Sequence, residues 1–452
     1  MITKTTLFRQ LPKDFVQAFQ TFRIGQHLRR AQITKGFGYS CLELFQIIFL
    51  LAFKQKNWYQ TLMSRKGDGF PGKDAVYRFL NTPHYNWRRF LYSLAGSIVE
   101  RLKPLTSEHR VKTLIMDDSV FSRNRSKAAE LLARIYDHVD HCYLKGFQML
   151  TLGWSDGATF LPIDFSLMSS PNRKNPLNGI DPSIDKRTNG YQRRKEAIQS
   201  KPEVVSKMVD QALQQEIQAD YVLMDSWFME VPLIEALCQK GRDVIGMVKR
   251  SRRFQFQDES LTLKQLYDDL WKRMGKQDIH GSLHVQLSSG RPAKIVFIRN
   301  RHNSNEWLTI LSTDTTLTDE EIIRLYGRHW QIETFFKQAK SQLNLAKEFQ
   351  GRSYDMTVAH TTIVFARYLL LAWQQRQQTD PKTLGELFMI MCDEAKDIDY
   401  ITALSQLFEI VETMMNNVSR RHMNVIKSQV AQWFSQLPSY IKGLLPKLGC
   451  ES

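Results

Sequence analysis

The chain has 452 residues, 42% of them hydrophobic and 11% aromatic, which is enough for about two to four domains with a sizeable core and too apolar for a disordered polymer. Its 62 Lys and Arg against 46 Asp and Glu leave a net charge of +16, which favours a polyanionic partner, chiefly nucleic acid. The five cysteines (Cys41, Cys142, Cys238, Cys392, Cys450) are scattered, odd in number and never spaced as CxxC, which argues against a disulfide framework or a zinc site and fits a reducing cytoplasm.

Lys4 and Arg9 precede no apolar stretch of the kind a signal peptide needs. The longest apolar runs, Ile47 to Phe53 and Thr362 to Trp373, fall short of the ~20 residues that span a bilayer, and the second contains Arg367. Residues 1 to about 105 read as helical, with apolar residues three and four apart (Leu42, Leu44, Phe45, Ile48, Leu51, Phe53). A Gly/Pro-rich break at 67–72 followed by Lys73, Asp74 and Arg78 is compatible with a helix-turn-helix that reads DNA, and equally with a plain bundle whose basic face is solvated.

From Pro104 the pattern changes. Val111 to Met116 is a short strand ending in Asp117, Asp118 and Ser119, and Ala128 to His138 reads as helix. Strands at Gln148 to Trp154 and Thr159 to Ser166 are joined by Ser-Asp-Gly, a hairpin signal. Residues 171–201 read as a long basic loop, with Arg193 and Arg194 among the residues expected on the DNA backbone. A helix from Glu203 to Ile217 leads to the strand Tyr221 to Met224, which ends in Asp225. Next come a helix from Pro232 to Lys240 and a strand from Asp243 to Val248, which runs into Lys249, Arg250, Arg252 and Arg253, a second candidate DNA-contacting group. Residues 254–317 read as an insertion with a helix (Leu263 to Met274) and three strand-like runs.

Thr318, Asp319, Glu320 and Glu321 then suit a helix N-terminus. Tyr326 to Lys340 is expected to be one helix, with Tyr326, Glu333 and Lys340 seven apart on one stripe. From 355 onward the chain reads as helical again, with a basic Arg420, Arg421 and His422. His138 and His141 have ligand-like spacing without further partners nearby, and read as structural or DNA-facing.

Strand-terminal aspartates are often caps or turn formers. Here Asp117 ends the first strand of one α/β unit, Asp225 ends the fourth, and Glu333 lies on the helix that comes after the fifth strand and the insertion. Strand ends in such sheets gather ligands. Three carboxylates meeting there bind hard cations, Mg²⁺ or Mn²⁺, and two such ions support in-line attack on phosphorus.

The Tyr, Glu and Lys at seven-residue spacing, with Trp-x-Ile-Glu between, resemble the Y-R-E-K signature of DDE transposases of the insertion-sequence-4 type. The family's Arg position is His329 here, with Arg328 one place earlier. The order Asp117, Asp225, β-bearing insertion, Glu333 is similar to the ribonuclease-H-like fold of that family, over roughly residues 110–375. Asp117 fits the first acid, and Asp118 is the alternative. The resemblance implies an α/β ribonuclease-H-like core flanked by helical regions. It divides the chain into 1–105 (DNA binding), 106–253 and 318–354 (catalytic core), 254–317 (insertion) and 355–452 (C-terminal helices). It further implies two Mg²⁺ or Mn²⁺ ions on Asp117, Asp225 and Glu333, and DNA contact by Tyr326, Arg328, His329, Trp330 and Lys340. Trp330 and Trp227 are expected to pack behind the site, with stacking on a displaced base the alternative for Trp330. The partner would be double-stranded DNA, terminal inverted repeats and target, bound by a dimer in a bacterial cytoplasm. Two other readings remain: a ribonuclease-H-like nuclease without strand transfer, and a non-catalytic DNA-binding protein derived from a transposase.

Overall fold

The computed structural model describes residues 11–64, 71–107, 109–137, 140–170, 175–271, 278–300, 306–377, 382–415 and isolated positions between 425 and 435. Arg420, Arg421, His422, His138 and most of the Gly/Pro break at 67–72 lie outside them. Helices come first: α1 (Lys13–Thr21), α2 (Ile24–Arg30), α3 (Cys41–Leu50), α4 (Trp58–Ser64), α5 (Lys73–Leu80) and α6 (Trp87–Leu102). The sheet opens with β1 (Thr113–Ser122), β2 (Ala133–Asp137), β3 (Cys142–Ser155) and β4 (Phe160–Met168). Then follow α7 (Asn189–Glu196), α8 (Lys201–Gln214), β5 (Tyr221–Met224), α9 (Val231–Cys238) and β6 (Asp243–Met247). The region after β6 contributes β7 (Arg253–Phe256), β8 (Glu259–Thr262), α10 (Leu263–Trp271), β9 (Ile279–Gln286), β10 (Pro292–Arg299) and β11 (Trp307–Ser312). The chain closes with α11 (Asp319–Tyr326), α12 (Trp330–Ser341), α13 (Tyr354–Gln377) and α14 (Leu384–Met415).

The strands form one mixed sheet in the order β2-β3-β1-β5-β6-β11-β10-β9-β7-β8, with β4 beside the second half of β3. β1, β5 and β6 are parallel, connected through α8 and α9, while the other pairings in the sheet are antiparallel. This is the ribonuclease-H-like α/β architecture, with helices at both ends of the chain. The strands after β6 are not set apart from it, because β11 pairs with β6 and so continues the same sheet. Two strands there, β7 and β8, were not expected; they are joined at Gln257 and Asp258, both at positive φ, as a tight right-twisted hairpin turn requires.

Two expectations are corrected here. Within the expected helix at 128–138, the described residues 128–137 are not helical: Ala133–Asp137 is a strand, because its alternation (Ala133 and Ile135 in, Arg134 out) lets it pair with β3. Leu131, Leu132 and Ile135 mimic a helical spacing, and only the distant partner strand decides between the two. The loop at 171–201 also contains a helix, α7, capped by Thr188.

α13 is long and apolar enough to cross a membrane, yet its apolar window is wholly buried within the protein. A helix apolar on every side is a core helix. It packs on β4 through Phe165 and Phe365 (4.8 Å between ring centroids) and on α12 through Phe335 against Tyr368 (4.8 Å). Trp373 meets Phe22 of the N-terminal helices (5.1 Å). In its middle the fully buried Arg367 donates to the carbonyls of Phe49, Ile48 and Leu343 and pairs with Glu348 at 2.9 Å. One guanidinium thus ties the end of α3 to the chain beyond α12. Removing it takes the charged partner from a buried carboxylate, which keeps only His360 (2.7 Å), and a donor from three carbonyls. Arg367→Met is therefore expected to lower stability by about 3–5 kcal/mol, read as a shift of the urea unfolding midpoint; an unchanged midpoint would contradict this account.

Candidate active site

The parallel register sets the geometry of the site. Met116 of β1 pairs with Met224 of β5, and Met224 pairs with Gly246 of β6. One residue further on, Asp117 and Asp225 stand at the same level of adjacent strands, a spacing of about 4.8 Å between the strand axes. β5 stops there: Asp225 Oδ1 accepts from Trp227 N (2.9 Å) and Phe228 N (3.4 Å), which turns the chain out of the sheet. β1 does not end at Asp117, as the sequence suggested, but runs on to Ser122 against β3, with Asp117 opposite Thr151. Past Met224, therefore, β1 has no strand partner on its β5 side among the described residues.

Alternation puts Asp117 and Ser119 on one face of β1 and Asp118 on the other. Asp118 is ion-paired with Lys201, the first residue of α8. Ser119 Oγ accepts from Lys340 Nζ (2.6 Å) on α12. The face that carries Asp117 is thus the face covered by α12.

α11 starts at a capping box between Thr318 and Glu321. The expected single helix is broken by a 3-10 turn (Gly327–His329) before α12. Gly327 keeps helical angles (φ −55°, ψ −22°), so the chain continues in a helical course. On α12, Ile332, Phe335, Phe336 and Ala339 are buried. At 100° per residue, Trp330, Glu333 and Lys340 fall on the neighbouring stripe, along the rim of the sheet.

Glu333 is exposed at that rim; partial desolvation and the Asp225 carboxylate push its pKa up. Burial raises Asp117 well above the usual carboxylate range, with Asp225, Asp118 and Glu333 adding to the effect in that order. Asp225 is raised by burial despite its two backbone donors and the nearby His329. Burial and the same three acids, Asp225 first, also raise the Tyr326 phenol. None of the three forms an ion pair among the described residues.

Also among the described residues, no three His, Cys, Asp or Glu side chains already stand at ligand distances around a common point. The donor chemistry nevertheless fits a hard cation: three crowded carboxylates with no counter-charge of their own.

A family model for DDE superfamily endonucleases matches residues 46–282, just over half the chain, and a transposase DDE domain model matches residues 197–370. The chain belongs to the DDE endonuclease superfamily. Asp117 and Asp225 fall within the first match, and Asp225 and Glu333 within the second. No curated protein matches the chain.

In this DDE-superfamily chain the remaining candidates separate into three groups. Tyr326 and Lys340 lie beside the acids, as just described. Lys249 is exposed directly after β6, one strand over from Asp225. Arg250 lies over the Trp307 ring (4.8 Å) and bonds its carbonyl, Arg252 lies over Phe254, and Arg253 bonds Ser260. Arg252 and Arg253 thus lie along the β7–β8 hairpin, and Arg250 lies at the start of β11.

Several of the candidates are turned toward protein partners. His329 is buried, stacks on Tyr326 (5.6 Å, 16°) and sets Nε2 at 3.3 Å from the carbonyl of Met116. Burial lowers its pKa, so the ring is neutral and turned inward, not toward a phosphate. Arg328 donates to the carbonyl of Val111 (2.6 Å), just before β1 and at the opposite end of that strand from Asp117. Arg194 is fully buried between Glu130 and Asp355. Arg193 bonds Glu196 and the carbonyl of Phe165 (2.7 Å) close to Asp164, so neither arginine faces DNA. Conversely, Trp330 (68% exposed) and Trp227 (41%) are not core residues but flank the acids in solvent.

Sequence reasoning missed Lys201 and Ser119. Ser119 was legible as part of the Asp-Asp-Ser run, but nothing local distinguishes Lys201 from other helix-start lysines.

The raised carboxyls bind protons more tightly in the folded than in the unfolded chain. Their stabilising contribution is full below the ordinary carboxylate range and is lost as pH rises through the raised folded values. Without divalent ion, Asp225→Asn should therefore gain on wild type between about pH 4.5 and about pH 8, with the higher Tm at the alkaline end. A Tm difference that does not change with pH would contradict the crowding described here.

Proposed function

We propose that this chain is the transposase of an insertion sequence, and that Asp117, Asp225 and Glu333 hold two divalent ions that serve DNA cleavage and strand transfer. The observation that carries the reading is the register: two aspartates at one level of adjacent parallel strands, with Glu333 on the helix that covers the same face. When bound, Mg²⁺ or Mn²⁺ would activate a water or 3′-hydroxyl and stabilise the leaving oxygen.

The chain's own groups then bind and orient the DNA. Lys340, held at Ser119, offers a point charge to a phosphate beside the acids. Tyr326, protonated at neutral pH, offers a hydroxyl. The exposed Trp330 ring, one helical turn before Glu333, offers a stacking surface to an unpaired base. Lys249 and the exposed part of Arg250 extend the cationic track. In this reading residues 1–105 bind terminal inverted repeats, 106–253 and 318–354 form the catalytic core around the insertion at 254–317, and 355–452 complete the helical frame. Synapsis of two ends makes the DNA-bound form a dimer in the bacterial cytoplasm.

The test uses a supercoiled plasmid that carries the two segments flanking the coding region. Wild-type protein with Mg²⁺ should cut at the segment ends and join the freed ends to target DNA; Asp225→Asn and Glu333→Gln should abolish both. Mg²⁺ at about 100 times its Kd should stabilise wild type by about 2.7 kcal/mol, read as a rise in Tm that both variants lose. Persistent cleavage by either variant would refute the acid assignment. Cleavage without joined product would leave a nuclease and refute transposition.

A further inference from the structure

On the back of the catalytic sheet, three residues from three elements meet. Lys201 opens α8, its side chain 14% exposed, and its ammonium binds Asp118 of β1. The same ammonium lies 4.4 Å over the indole of Trp227, in the turn after β5. Trp227 N in turn donates to Asp225 Oδ1 (2.9 Å). One lysine therefore links the two strand ends that carry Asp117 and Asp225, from the side they do not face.

The need for such a link follows from the topology. Because β5 stops at Met224, the β1–β5 ladder ends at Met116, and β1 runs on past it without a strand partner on that side among the described residues. Asp118 directly follows Asp117, its N–H donating to Asp117 Oδ1 (2.7 Å), and Lys201 and Trp227 connect it to the turn that holds Asp225. A fourth carboxylate entering the cluster would give the ions a competing ligand and a wrong geometry. We propose that Lys201 is a positioning residue that holds Asp118 on the back face, out of the metal pocket, and fixes the Trp227 turn that presents Asp225. This rests on the assignment of Asp117, Asp225 and Glu333 as ligands. Lys201 itself is too enclosed, and too committed to Asp118 and Trp227, to serve first as a phosphate contact.

The experiment compares Lys201→Met, Lys201→Arg, Asp118→Asn and the Lys201→Met/Asp118→Asn double variant. It measures the single-turnover rate of Mg²⁺-dependent cleavage and the affinity for a fluorescent duplex cut from one flanking segment. Lys201→Met should lower the cleavage rate about 10–100-fold, as loss of a group that orients metal ligands does, with duplex affinity unchanged. Lys201→Arg should restore the rate. The double variant should be faster than Lys201→Met alone, because the released carboxylate is gone; such non-additivity is the signature of coupling.

An unchanged rate in Lys201→Met, additive losses in the double variant, or a loss confined to duplex affinity would each overturn the proposal. If circular dichroism shows that Lys201→Met does not fold, Lys201→Gln takes its place in the same comparisons. The controls separate the two levels of inference. If Asp225→Asn stays active, the ligand assignment fails; if Asp225→Asn is dead while Lys201→Met behaves as wild type, the positioning role alone fails.

Discussion

Crowding of like charge at the ends of two parallel strands is the constraint on which the rest of the structure depends. Elsewhere, three enclosed arginines are matched by carboxylates. Arg88 meets Asp164 and Glu196, Arg194 meets Glu130 and Asp355, and Arg367 meets Glu348. An unpaired buried carboxylate costs several kcal/mol, so these pairings are what permit polar side chains inside a helical and β core. Asp117 and Asp225, one residue past the paired Met116 and Met224 of adjacent strands, have no such partner among the described residues. Such local strain is retained at functional sites, where a ligand relieves it.

Holding the acids in that state requires a stiff support. α12 lies between β1 and α13: Phe335 packs against Phe365 and Tyr368, while Lys340 and His329 reach Ser119 and the carbonyl of Met116 on β1. His329 thus serves as an internal brace between helix and strand. At the neighbouring strand end, Gly246 lets Met229 close over the sheet; a Cβ there would overlap the Met229 sulfur and the Met224 carbonyl. The turn that delivers Asp225 can therefore fold back tightly. Sites supported by helices and strands keep their geometry better than sites carried on loops.

Much of this was legible in the chain itself. β5 and the acid after it could be read from a four-residue apolar run, because a strand buried on both faces needs no partner-specific signal. The start of α11 could be read from its acidic first turn and Thr318. Misreadings arose where a distant partner decides the outcome. Ala133–Asp137 became a strand because β3 lies beside it. Arg193 and Arg194 looked like a DNA-facing pair until Glu130, Asp164 and Asp355, far away in sequence, were seen to enclose them. Trp330 was assigned to the core by residue type, but the core stripe of α12 was already filled by Ile332, Phe335, Phe336 and Ala339.

The fate of the arginines also refines what the net charge means. Because the buried guanidiniums are matched by carboxylates, they contribute little to the field outside the protein. The excess of +16 is therefore carried by the remaining basic residues, among them the exposed Arg29, Arg30, Lys56, Lys73 and Lys249. Exposed charge of one sign is what releases counterions from a nucleic acid. Two populations of basic side chain thus do different work: one neutralises acids so that the helical frame and the sheet pack as a single core, and the other attracts DNA.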